Sequence, residues 1–281
     1  TVPPDLKVIW RNLQWMKNSE TILGPALYEA SVRDNYLFCS DTLDGADWVA
    51  EDYISTLAPD TAGFIRRSLV DLGYQDAPSE SYNSAYWSNA SGLITLVGRV
   101  SQSDSDYVLC YQSHEMLHGV QHFTGVKTRN ESWPIWEYQA CLLSYEAAGV
   151  VAERIIGIEL FQDGVHGPLA IVLAGDEAGV ERIYDAYKQA LKNGTPYARA
   201  LEEAGKVAFY RQFETQWWLN GYNETVFLRY LDFWYRNDFK TPSSDNPYTL
   251  DRMRMTGYVS KDFNMTAGLD SIPANMFGDN D

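Results

Sequence analysis

Apolar residues in this chain recur mainly at helical spacing, and the breaks fall at Gly, Pro and Asn. After Pro3 and Pro4, a mixed segment reads as a short helix through about Trp15. Asp60 suits an N-cap, with Phe64, Ile65, Leu69 and Leu72 following at helical spacing until Gly73. Residues 74–91 are rich in Ser, Asn, Tyr and Gly and read as loop. Leu93–Val97 is a short, partly β-branched run and reads as a strand. A helix then spans about Asp106–Phe123, capped by Ser103 or Ser105 and stopped at Gly125. One of its faces carries Tyr107, Cys110, Tyr111, His114, Leu117, His118 and Gln121. The other carries Val108, Leu109, Met116, Val120 and Phe123.

Residues 126–133 form a polar connection to a long helix, which starts near Pro134 and ends near Ile156. Val180, Ile183, Tyr184, Tyr187 and Leu191 stripe another helix, closed by Asn193-Gly194. Thr195-Pro196 opens the next, as an N-cap followed by Pro. Phe227, Tyr230, Leu231 and Trp234 mark a core-facing stripe. The tail after about Thr241 is turn-rich and is expected to wrap the surface. The pattern predicts an α+β, predominantly helical fold with a small β-sheet beside the helix at 106–123. Residues 1–128 form a mixed part and residues 129–281 a mainly helical one, joined in one compact unit.

Composition narrows the partners. The 281 residues are 45% hydrophobic and 21% charged, enough to bury a large core. Thirty-eight acidic against 22 basic residues give a net charge of −16, which repels nucleic acid and anionic membrane surfaces. No apolar run approaches the roughly 20 residues that cross a bilayer. Cys39, Cys110 and Cys141 are too few and too scattered for a disulfide framework or a cysteine zinc site. The chain opens on Thr1 rather than Met, so a removed leader is open, and the reading leans to a secreted or periplasmic protein.

The chemistry concentrates in His114-Glu115-Met116-Leu117-His118. Histidines four apart on a helix share a face, about 6 Å apart along the axis, and can converge on one ion. Glu115 projects beside them, near enough to take a proton from a metal-bound water. The chain has only 4 His, and His114, His118 and His122 lie within nine residues. Three residues at i, i+4 and i+8 lie in a row, so His122 is not a third ligand. Glu137, 19 positions after His118 in the first turns of the next helix, is the expected third ligand. Glu131, Glu146 and Glu153 are its rivals. Glu131 precedes the helix, and the other two lie further along it, where the approach is less favourable. Two His, one Glu and an open position are the donor set of a catalytic zinc site.

These residues resemble the zincin metallopeptidases of the gluzincin branch. Gln121 also makes the segment similar to bacterial H-E-x-x-H-x-x-Q metallopeptidase-like families. Trp133, Glu137 and Ala140 match a downstream W-x-x-E-G-x-A shape, with Tyr138 where Gly is usual. The resemblance covers about residues 105–150. It implies a zincin-like fold, zinc at His114, His118 and Glu137, and Glu115 as general base. Gluzincins often carry an acid four residues after the ligand Glu to brace the first His. Cys141 stands there, so that brace must come from elsewhere.

The expected activity is hydrolysis of amide bonds in a peptide or protein substrate, with Glu115 assisting attack of zinc-bound water. Two alternatives stay open: a non-catalytic binding protein on a zincin scaffold, and a metal-dependent hydrolase of a non-peptide substrate. His166, in a loop, is a candidate for hydrogen-bonding an oxyanion. Cys110 and Cys141 read as buried free thiols.

Overall fold

The structure, a computed structural model, describes residues 7–41, 85–88, 93–97, 105–126, 133–166, 177–215, 219, 247–273 and 276. The expected helices at 60–73 and around 227–234 lie outside these residues.

The chain opens with two helices, α1 (Lys7–Asn18) and α2 (Leu23–Arg33), which pack on each other. α1 buries Ile9, Asn12 and Met16, one stripe of an amphipathic helix. α2 was not expected from the pattern. Its N-cap, Ile22, offers no side-chain acceptor. The missing cap comes from Glu159, far along the chain, whose carboxylate accepts from the backbone N–H groups of Ile22 at 2.8 Å, Leu23 at 2.9 Å and Gly24 at 3.2 Å.

A three-stranded sheet follows: β1 (Leu37–Asp41), β2 (Ala85–Ser88) and β3 (Leu93–Val97), in the order β1-β3-β2. β1 runs parallel to β3, with Leu37 opposite Leu93 and Asp41 opposite Val97. β2 is antiparallel to β3, pairing Ala85 with Leu96 and Ser88 with Leu93. The strand expected at 93–97 is there. Residues 85–88, expected as loop, are instead its partner strand. β2 and β3 both pack on α3 (Ser105–Phe123), as do α1 and α2. α3 therefore has no solvated face over most of its length: from Val108 to Gln121, only Tyr111 is less than buried.

The other side of α3 meets α4 (Ile135–Gln162), the axis of the fold. α4 has 28 residues, about 42 Å at 1.5 Å per residue, six residues beyond the expected end. It buries residues on every face, from Tyr138 to Leu160, as a helix enclosed by others must. α2, α3 and α6 (Tyr197–Phe213) surround it. α5 (Glu177–Lys192) packs on α6, and the turn between them places Gly194 at φ +79°. Pro196 itself occupies the N-cap position of α6, one residue after the expected Thr195.

The tail departs from its expected role. α7 (Leu250–Met255) is capped by the Thr249 side chain, and β4 (Tyr258–Ser260) pairs with β5 (Phe263–Asn264). Met253, Val259, Phe263 and Met265 are buried in the main core. Gly205 of α6 makes room for this segment, since a Cβ there would lie under 3.0 Å from the Met265 carbonyl oxygen. The described residues thus form a predominantly helical α+β fold. No helix among them is long and apolar enough to cross a membrane.

Candidate metal centre

The site forms where α3 crosses α4. His114 and His118 stand one turn apart on α3, and both are buried. Facing them on α4 are Glu146, Gly149 and Glu153, at i, i+3 and i+7, one stripe of that helix. Gly149 is what lets the two helices meet here. A Cβ on it would fall under 3.0 Å from three atoms of the His114 ring.

Three potential ligand atoms converge. His114 Nε2 lies 3.1 Å from His118 Nε2, and each is 3.6 Å from Glu146 Oε2. A point equidistant from atoms so spaced is about 2.0 Å from each, the length of a zinc–nitrogen or zinc–oxygen bond. The side chain of Glu146 is 29% exposed, against 10% and 5% for the two histidines, so solvent approaches from its side.

The outer nitrogens of both rings are engaged. His114 Nδ1 lies 2.6 Å from Glu153 Oε1, and Arg154 Nη1 is 3.6 Å from the other Glu153 oxygen. His118 Nδ1 lies 2.8 Å from Gln121 Oε1, and Gln121 Nε2 donates to the Thr256 carbonyl at 2.7 Å. A carboxylate and an amide oxygen can only accept, so both Nδ1 atoms carry hydrogen. In their neutral forms both rings then aim an electron pair at the same point as Glu146. A positive charge at that point, whether a proton on a ring nitrogen or a metal ion, would satisfy all three atoms, and a divalent ion of zinc's size fits their spacing.

The electrostatics agree. Burial works against a charged His114, but hydrogen bonds to Glu146 and Glu153 outweigh it and hold the imidazole well above 6.5. Burial also works against a charged Glu146. The charge on His118 and hydrogen bonds from both histidines hold its carboxyl well below 4.5. Both shifts express a demand for positive charge at the meeting point.

Among the residues expected to form the site, His114 and His118 come together, and Glu115 is buried beside them on α3. Glu137 is not brought to this cluster. It lies in the first turn of α4, where its Oε2 accepts from the Tyr248 backbone N–H at 3.3 Å. The carboxylate that joins the two histidines is Glu146, nine residues further along the same helix. Glu146 rather than Glu137 reaches the histidines because α3 crosses α4 near its middle rather than at its start. The side chain that meets the outer nitrogen of His114 is Glu153, seven residues after Glu146 on α4.

A signal for this arrangement was present in the sequence. Glu146 and Glu153 interrupt an otherwise apolar stretch of α4, and buried carboxylates need partners. His122 is exposed and its ring meets Phe123 edge-on. His166 packs on Phe161 beyond the end of α4, some 24 Å along the helix from Glu146, too far to serve the site. Cys110 and Cys141 are buried thiols. No protein-family model, no curated protein and no solved structure matches this chain.

Proposed function

We propose that this protein is a zinc-dependent metallohydrolase of the zincin type, acting on peptide bonds. The observation that carries the reading is the convergence of His114 Nε2, His118 Nε2 and Glu146 Oε2, with Glu115 next to His114 on the same helix. His114, His118 and Glu146 would hold the ion, in place of the His114, His118 and Glu137 set that the family resemblance implies. A bound zinc would supply Lewis acidity, polarising a carbonyl and making coordinated water more acidic.

The remaining work falls to this chain's side chains. Glu153 and Gln121 orient the two imidazoles. Glu115, which none of the three ligand positions requires, takes a proton from the attacking water as its oxygen bonds to the scissile carbon. The same carboxyl returns that proton to the amide nitrogen as the carbon–nitrogen bond breaks. Access along Glu146 leaves one side of the site open, which suits a catalytic centre better than a closed structural one.

The test combines elemental analysis with cleavage of a peptide library, on protein purified without chelator. The expected result is about one zinc per chain in the wild type and in Glu137→Ala, and loss of zinc in Glu146→Ala and His118→Ala. Glu115→Gln should keep its zinc and lose peptide cleavage by 100-fold or more. Full cleavage by Glu115→Gln would sink the mechanism. Zinc bound with no peptide cleaved would favour a non-peptide substrate or a binding role.

A further inference from the structure

We propose that Gln121 is a positioning residue of the metal centre: anchored by the Thr256 carbonyl, it fixes His118 as the Nδ1–H tautomer and so points the Nε2 electron pair at the ion. This rests on the metallohydrolase reading of the same site.

Each oxygen in this chain of contacts can act in only one way. The Thr256 carbonyl oxygen only accepts hydrogen bonds, so the Gln121 atom 2.7 Å from it is the amide nitrogen. That orientation leaves Gln121 Oε1 as the atom 2.8 Å from His118 Nδ1. An amide oxygen also only accepts, so Nδ1 carries the hydrogen. A neutral imidazole has one N–H, and Nε2 is left with its electron pair. No free rotor intervenes between the Thr256 carbonyl and His118. Gln121 is 1% exposed, His118 4% and Thr256 0%, so water does not compete at any link.

The anchor is itself held. Thr256 Oγ1 donates to the Met253 carbonyl at 2.7 Å. Gly257 N donates to Thr266 Oγ1 at 2.8 Å, and Met265 N donates to the Gly257 carbonyl at 2.9 Å. The orientation of a ligand on α3 is therefore set by the turn between α7 and β4, which lies 135 residues from Gln121.

The two braces differ in kind. Glu153 is a carboxylate and accepts from His114 whether that ring is neutral or charged. Gln121 is a neutral group keyed in one direction. A Glu at position 121 would still accept from Nδ1, but its other oxygen would face the Thr256 carbonyl. A Leu would remove both bonds.

Two readouts test this, neither of them activity. The first is the 15N spectrum of His118 in metal-free protein, at a pH where the ring is neutral. The wild type should show a protonated Nδ1 and an unprotonated Nε2. The second is zinc affinity by competition with a chromogenic chelator. Gln121→Leu should bind zinc 10- to 100-fold more weakly, and Gln121→Glu should stay closer to the wild type than Gln121→Leu does. Thermal melting of each metal-free variant checks folding, and if Gln121→Leu fails to fold, the wild-type tautomer still decides. An Nε2–H tautomer in the wild type, or unchanged zinc affinity in a folded Gln121→Leu, overturns the role of Gln121 alone. A wild type that takes up no zinc overturns the metallohydrolase reading and this inference with it.

Discussion

At Gly149 a methyl group is absent so that an imidazole can lie against a helix. Two effects of Gly149→Ala oppose each other. Helix propensity favours Ala by about 1 kcal/mol. Against it, the new Cβ would sit under 3.0 Å from Nε2, Cδ2 and Cε1 of His114. The ring has little room to yield, since its Nδ1 is tied to Glu153 at 2.6 Å. The clash should win. Gly149→Ala should melt below the wild type in calorimetry and bind zinc at least about tenfold more weakly by chelator competition. Unchanged affinity would show that the ring is not held against α4. At this scale the sequence was half legible. The His114–His118 pair could be read because a helical spacing of four brings imidazoles together whatever the rest of the fold does. Glu146 could not be chosen over Glu137 without knowing where α3 crosses α4.

Elements were legible where their signals were local. β3 is a compact β-branched run, α3 has a stop at Gly125, and α5 ends at Asn193-Gly194. α2 was missed because its N-terminal cap is not in its own sequence. Its cap is the Glu159 carboxylate of α4, fully buried and 136 residues from Leu23. The carboxylate faces the positive end of the helix dipole. Glu159→Ala would leave the N–H groups of Ile22, Leu23 and Gly24 without their acceptor, two of them in buried residues. Each buried unsatisfied donor costs about 1–3 kcal/mol, so the variant should lose about 2–6 kcal/mol in urea unfolding. Hydrogen exchange should place the loss in α2, whose first-turn amides would exchange faster than those of α5. Uniformly faster exchange across both helices would mean that Glu159 supports the core at large rather than this one terminus.

The tail, whose turn-rich composition suggests a surface wrap, does not lie wholly on the surface. Its residues instead reach three helices: Thr256 meets Gln121 of α3, Tyr248 meets Glu137 of α4, and Met265 closes on Gly205 of α6. Short elements stabilised by distant partners carry little periodicity, so composition was a poor guide there. A fourth tie lies at the surface, where Asp270 accepts from Lys206 Nζ at 2.6 Å and from the Tyr210 hydroxyl at 2.8 Å. The Lys206 hydrogen bond, helped by Tyr210, lowers the Asp270 carboxyl from 3.8 to about 2. A carboxyl depressed in the folded state adds stability above its unfolded value and loses it as pH falls through the folded one. The difference in Tm between the wild type and Asp270→Asn should therefore be constant above pH 3.8 and shrink as pH falls towards about 2. Asp270 is exposed, so the shift should be small and should weaken in high salt. A Tm difference that is the same at pH 3 and pH 6 would mean that Asp270 acts through packing rather than charge. If the charge does act, acid should loosen the tail from α6 first. The Thr256 anchor would then stay in place only as long as α7 and the β4–β5 pair hold by their buried residues.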